Sequence, residues 1–329
     1  MTTTNSKTVD QPHVCIDVDP EMPNNCVEFV LGGMAACGAG FFTNPLEVVK
    51  TRMQIQGELL ARGMYTKHYR NVFHAFYVIA KCDGVTALQR GLVPALYYQL
   101  VMNSLRLGTF QVLTNRGFTK DANGTPSFPR MVVAGAVSGC VGAAFGSPFY
   151  LVKTHLQNRT THSEIAVGHQ HQHSTMSLGF RKIYKKEGVK GLWRGVDAAV
   201  TRVMIGSAMQ LSTFSYIKHW METKEVFKKD STMNAFIASV LGGFAVVAVM
   251  TPPDVVTTRL YNQEVDAKGR GVLYRNLFDC FQKIFRKEGL FGFYKGWAAS
   301  LIRLAPHSIL SLVFWDELRL FYYKHVEVY

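Results

Sequence analysis

The chain is written in three copies. Prolines that open a charged motif stand at Pro45, Pro148 and Pro252, separated by 103 and 104 residues. Basic-glycine pairs recur at Arg90-Gly91, Arg194-Gly195 and Lys295-Gly296, and acidic-glycine pairs precede them at Asp83-Gly84, Glu187-Gly188 and Glu288-Gly289. The first and third copies also share wording, YRNVFHAF at 69–76 against YRNLFDCF at 274–281. A fixed period is settled before any fold is considered, because each copy is one structural unit and the fold is their assembly. The units fall at 27–120, 121–226 and 227–329, behind a polar tail of 1–26.

Each unit holds two apolar stretches, at roughly 27–44, 92–115, 131–149, 196–217, 234–251 and 297–315, long enough to approach a bilayer-spanning helix. Gly, Ser or an arginine interrupts several of them, which suits a bundle with a wet interior better than a lipid anchor. Each unit is then a helix, a connection with a short amphipathic helix, and a second helix. The expected fold is an all-α membrane protein of six transmembrane helices in three pseudosymmetric repeats. Small residues at Gly32 and Ala36, Gly135 and Gly139, and Ser239 and Gly243 have the spacing that lets backbones approach closely in lipid.

The 329 residues carry 36 Lys and Arg against 23 Asp and Glu, a net charge of +13. Nucleic-acid binders gather such charge on one face. Here it sits in short groups between apolar spans, as in FRKIYKKEG at 180–188 and FQKIFRKEG at 281–289, the pattern of membrane topology. No nucleic-acid partner is expected. The six cysteines form no CxxC pair and read as packing residues rather than a zinc or disulfide framework. No Walker loop, GxSxG elbow or HExxH occurs, so no enzyme activity, catalytic residue, cofactor or structural metal is expected. The tract HQHQH at 169–173 reads as a solvated loop of the polar second connection, with adventitious metal binding the lesser alternative.

At 100° per residue Glu47, Lys50 and Gln54 share one helical face, as do Tyr150, Lys153 and Gln157, and then Asp254, Thr257 and Tyr261. Charge on that face is costly against lipid, so it should point to the bundle axis. The spans hold almost no Asp or Glu, yet Arg202 and Arg303 stand seven residues after Gly195 and Gly296, and Arg106 fifteen after Gly91. An arginine at membrane mid-depth costs roughly 2.5–3.5 kcal/mol on insertion scales. With no carboxylate nearby to pair, the expected counter-charge is a visiting anion. Two guanidiniums suit a small dianion, each gripping a carboxylate through two parallel hydrogen bonds.

PLEVVKTR at 45–52, with its later copies and the acidic-glycine and basic-glycine elements, resembles the mitochondrial carrier family, solute carrier family 25, over about residues 27–324. The pairing of PFYLVKTHLQ at 148–157 with PPDVVTTRLYNQ at 252–263 looks like the subgroup of members 34 and 35, similar to a fungal oxaloacetate carrier. The resemblance implies a multi-pass carrier of the mitochondrial inner membrane, working as a monomer by alternating access, with short matrix-side amphipathic helices and bound cardiolipin. The polar 1–25 lacks a presequence's Arg-rich amphipathic character, which agrees with import by internal signals.

By resemblance, a matrix gate pairs Glu47 with Lys153, Tyr150 with Thr257, and Asp254 with Lys50, braced by Gln54, Gln157 and Tyr261. The missing acid and the missing base fall in one pair, so no orphan charge results. His155, where the pattern has Lys or Arg, is unexplained. A cytoplasmic gate maps to Gln111 with Lys218, Ser215 with Arg319, and Asp316 with Thr114, with no complete ion pair. Substrate contacts map to Tyr98 and Gln99, Arg202 and Val203, and Arg303 and Leu304, a set resembling carboxylate and keto-acid carriers. His307, one turn after Arg303, is either a titrating group or a packing histidine beside Pro306; Arg106 is either a cavity residue or a ligand of backbone or headgroup. The leading expectation is a carrier of a dicarboxylate or keto-dicarboxylate such as oxaloacetate, with a weak cytoplasmic gate that permits some uniport beside antiport. A regulated proton or anion leak and a non-transporting membrane adaptor are the alternatives.

Overall fold

The computed structural model describes residues 25–61, 63–121, 127–206, 209, 232–266 and 269–326. Among them are nine α-helices and no β-strand. The long first helices of the repeats are α1 (Asn25–Ile55), α4 (Phe128–Asn158) and α7 (Thr232–Asn262). The short connecting helices are α2 (Val72–Cys82), α5 (Met176–Leu192) and α8 (Leu277–Glu288). The second helices are α3 (Leu92–Asn115), α6 (196–206) and α9 (Trp297–Val326). The rest of the span expected at 196–217 lies outside the described residues, apart from residue 209.

Each first helix runs through its proline. Proline supplies no N–H and leaves the carbonyl four residues earlier without its ladder donor. Two repeats answer this in the same way, with the residue two before the basic-glycine glycine. Gln89 Nε2 donates to Phe41 O at 3.2 Å, and Trp193 Nε1 to Ala144 O at 2.8 Å.

The repeats close on one another in a ring. Helix α1 packs against α3 and α9, α3 against α4, and α1, α4 and α7 meet pairwise. Gly91, Gly195 and Gly296 all have φ between +74° and +79°. A Cβ at Gly91 would lie 2.8 Å from Gln157 Cγ, at Gly195 3.5 Å from Tyr261 Cε1, and at Gly296 2.9 Å from Gln54 Cγ. Each repeat thus seats its glycine on the following repeat, and the third on the first. The small-residue faces behave less uniformly than expected. A Cβ at Gly32 or Gly135 meets nothing within 4 Å, whereas one at Gly142 would stand 2.7 Å from Met102 O of α3. The spacing marks a face free of bulk without saying which position meets a neighbour.

The molecule is apolar outside and polar within. Val30, Phe42, Val93, Phe145, Ile309, Leu312 and Leu320 are exposed, while Asn44, Arg52, Gln54, Lys153, Asp254 and Arg259 are buried. That inversion suits a lipid solvent. By length and hydropathy alone only two of the described helices qualify as spans, Pro129–Asn158 and Leu290–Tyr322. Residues such as Gln99, Asn103 and Arg106 dilute the mean in a helix like α3. Near the short helices the core is conventional: Val72, Ala75 and Ile79 of α2 pack on Val48 and Val49, and Cys280 and Ile284 of α8 on Val255 and Val256.

Candidate functional site: a charged chamber between the helices

Four cations and two carboxylates converge where α1, α4 and α7 meet. Lys153 pairs with Glu47 through Oε2, and Arg303 Nη1 lies 3.1 Å from Glu47 Oε1. Lys50 Nζ lies 2.7 Å from Asp254 Oδ2, and Arg202 Nη1 3.3 Å from Asp254 Oδ1. Each carboxylate therefore bridges two cations, one per oxygen.

This corrects the expectation that Arg202 and Arg303 have no carboxylate to pair with. Glu47 and Asp254 sit at the ends of α1 and α7, outside the apolar stretches, and reach arginines of other repeats. The excess of charge nevertheless remains: four cations against two carboxylates leave two positive charges.

The third pair is built from aromatic surface. Arg202 Cζ lies 5.2 Å and Lys153 Nζ 5.3 Å from the Tyr150 ring centroid, within cation–π range. Tyr150 also packs against the Tyr98 and Tyr261 rings. Thr257 Oγ1 instead donates to Pro253 O, 2.7 Å away, so no hydrogen bond links Tyr150 with Thr257. Arg202 Nη2 donates to Tyr98 Oη at 2.9 Å.

Beneath the ion pairs, Thr51 Oγ1 donates to Gln157 Oε1 at 2.9 Å and Thr258 Oγ1 to Gln54 Oε1 at 2.8 Å, while Tyr261 shares a 2.7 Å hydrogen bond with Ser147. Gln99 accepts from Asn103, Val203 is buried, and Leu304 lies against Gly243 of α7. His307 Nδ1 lies 3.1 Å from Thr43 Oγ1 of α1, the hydrogen-bonded packing alternative. Arg106 is half-buried and forms no hydrogen bond or ion pair with a described residue.

The other end differs. Gln111 Nε2 donates to Asn115 Oδ1 at 3.0 Å and Thr114 Oγ1 to Phe110 O at 2.9 Å, both within α3. No hydrogen bond joins Thr114 to Asp316, and the Arg319 guanidinium lies 5.2 Å from the Trp315 ring centroid. Ser215 and Lys218 lie outside the described residues.

Three features were not legible in the sequence. A base on each first helix takes a main-chain carbonyl of the next repeat: Arg52 donates to Gln157 O, His155 engages Tyr261 O, and Arg259 donates to Gln54 O. The acidic-glycine carboxylates then collect cations, Asp83 from Arg52 and Arg90, Glu288 from Arg259 and Lys295, but Glu187 from Arg194 alone. Lastly, HQHQH is not a solvated loop. His173 is 4% exposed and the His171 ring stacks on His155, centroids 3.4 Å apart. Burial, with His169 beside it, pushes His171 down to about 3; burial, with Lys182 nearby, pushes His173 down to about 4. Both rings are neutral at physiological pH.

Comparison with known proteins gives the chain its family. The family model described as Mitochondrial carrier protein matches residues 22–120, 124–225 and 228–326. The chain is 53% identical to solute carrier family 25 member 35 of Homo sapiens over 90% of this chain and 99% of that protein. It is 42% identical to the mitochondrial citrate transporter E of Aspergillus niger over 86% and 89% of the two chains. To the mitochondrial oxaloacetate transport protein of Schizosaccharomyces pombe it is 40% identical over 88% of each.

Proposed function

Because the chain belongs to the mitochondrial carrier family, whose members are transporters rather than enzymes, we propose that it moves a small dicarboxylate or keto-dicarboxylate, such as oxaloacetate, across the mitochondrial inner membrane by alternating access. The observation that carries this reading is the chamber's surplus of two positive charges, held by groups of which two, Arg202 and Arg303, are fork-shaped carboxylate binders. A dianion neutralises that surplus; a monoanion or a cation does not. The name of the oxaloacetate-transporting relative points to the same chemical class, while that of the citrate transporter names a tricarboxylate.

The shared carboxylates give the cycle a physical link. With the chamber empty, Arg202 and Arg303 add to the lysine pairs that hold the matrix side closed. A dicarboxylate that takes both guanidiniums leaves Glu47 and Asp254 with one lysine each, so occupancy weakens the closed side. Tyr98 orients Arg202 and is the substrate-side neighbour of that guanidinium. The carrier works as a monomer with cardiolipin against its amphipathic helices.

Uptake by liposomes holding the purified protein, offered labelled mono-, di- and tricarboxylates, sulfate, phosphate and nucleotides, tests the assignment. Saturable uptake of four-carbon dicarboxylates or keto-dicarboxylates is expected. Dissipation of a proton gradient with no solute carried would overturn it in favour of a leak.

A further inference from the structure

The transport reading leaves one cluster unused, and the threefold repeat makes it conspicuous. Seven residues after the motif proline, repeats 1 and 3 carry Arg52 and Arg259, which take a main-chain carbonyl and the acidic-glycine carboxylate together. Repeat 2 carries His155. Its Nε2 takes the equivalent carbonyl, Tyr261 O, at 2.8 Å, while Glu187 is held by Arg194 at 2.9 Å. The Nδ1 of His155 is left buried without a hydrogen-bond partner.

We propose that His155, His171 and His173 form a binding site for a divalent transition metal of the Zn2+ class, at the junction of repeats 2 and 3. One ring nitrogen from each histidine lies within 4.8 Å of the others. Tetrahedral Zn–N bonds of about 2.0–2.1 Å place ligand nitrogens roughly 3.3 Å apart, so metal binding turns the stacked His155 and His171 rings until their lone pairs converge. Two of the rings are set up for ligation. His155 Nε2 and His171 Nε2 face the carbonyls of Tyr261 and Asn262, at 2.8 and 3.1 Å, which fixes the proton there and leaves each Nδ1 lone pair free. Ligating histidines are characteristically oriented by such a partner on the other ring nitrogen. His173 offers a third nitrogen, Nε2, likewise buried and unpartnered. Leaving such atoms unsatisfied is costly, and a metal ion satisfies both together. Three neutral imidazoles select Zn2+, Cu2+ or Ni2+ over the oxygen-seeking Mg2+ and Ca2+, with a fourth position open to water. Gly179 keeps the space: a Cβ there would stand 3.0 Å from His173 Cδ2.

Metal titration of the full-length chain tests this, using protein purified in detergent without a histidine tag and stripped with chelator. One equivalent of Zn2+ by calorimetry is expected, together with tetrahedral d–d absorption from Co2+ that Zn2+ displaces and a Zn2+-dependent rise in melting temperature. His155→Arg, which installs the residue of the other two repeats, should retain the metal-free melting temperature. It should weaken binding by at least about 100-fold, beyond the roughly 10–100-fold of an outer-shell change. His173→Ala, on the connection rather than the helix, should do the same and reads the site independently of α4. Absence of stoichiometric binding to the folded wild type, or affinity unchanged in both variants, would overturn the proposal.

Discussion

Glu47 and Asp254 each serve two cations, and that makes their substitution unlike that of the arginines. Glu47→Gln strands Lys153 and Arg303 together, and breaking a buried pair costs about 3–5 kcal/mol. The variant should melt well below wild type, read as the temperature at which the buried Cys280 thiol becomes reactive. Arg303→Ala leaves the Lys153–Glu47 pair intact and should melt within a few degrees of wild type. Equal melting of the two variants would show that Glu47 is not shared. The sequence singled out all four groups, Glu47 and Asp254 by helical period and Arg202 and Arg303 as charges at equivalent positions inside apolar spans. What it could not give was the reach across the axis, since a carboxylate's second oxygen has no signature in one dimension. His155 was visible as an anomaly for the same reason that its role was not: only the fold brings residues 171 and 173 to it.

At the scale of elements, ring closure depends on the second helix of each repeat starting against the next repeat. Gly91 and Gly117 both have left-handed backbone, φ +74° and +77°, but a Cβ at Gly91 strikes Gln157 while one at Gly117 meets nothing within 4 Å. Alanine at either costs about 1–2 kcal/mol for the backbone. Gly91→Ala should cost about 1–3 kcal/mol more for overpacking, so its melting temperature should fall clearly below that of Gly117→Ala. The acid–base clusters beneath the helices predict a pH dependence. Burial alone would raise the Asp83 carboxyl, but Arg52 outweighs it and holds the group below the ordinary carboxylate value; Glu288 is lowered against burial by Arg259. A lowered folded-state pKa adds stability that is whole at neutral pH and is lost as pH falls through it. Asp83→Asn should therefore melt below wild type at pH 7, with the gap closing below pH about 4. A gap that persists there would assign the effect to packing. The recurring acidic-glycine and basic-glycine pairs were visible in the sequence, whereas neither the clusters they form nor the carbonyl contacts of Arg52 and Arg259 were, partner choice and main chain being silent in a sequence.

For the whole molecule, an apolar exterior around a charged chamber fits a lipid solvent on one side and an ionic cargo on the other. The triplication made that architecture readable from the sequence, whereas hydropathy alone finds two spans among the described residues. The chain end of α3 predicts behaviour too. Among the described residues, Gln111 and Thr114 hydrogen-bond within their own helix. Net uptake into unloaded liposomes is expected, and strict one-for-one exchange would count against a weak gate. The central claim is that Arg202 and Arg303 hold the cargo. Its most direct measurement is initial uptake of a labelled four-carbon dicarboxylate by liposomes containing wild type, Arg202→Ala or Arg303→Ala, each shown to be folded by its melting curve. The account requires saturable wild-type uptake and its loss in both variants; transport at the wild-type rate by either would contradict it.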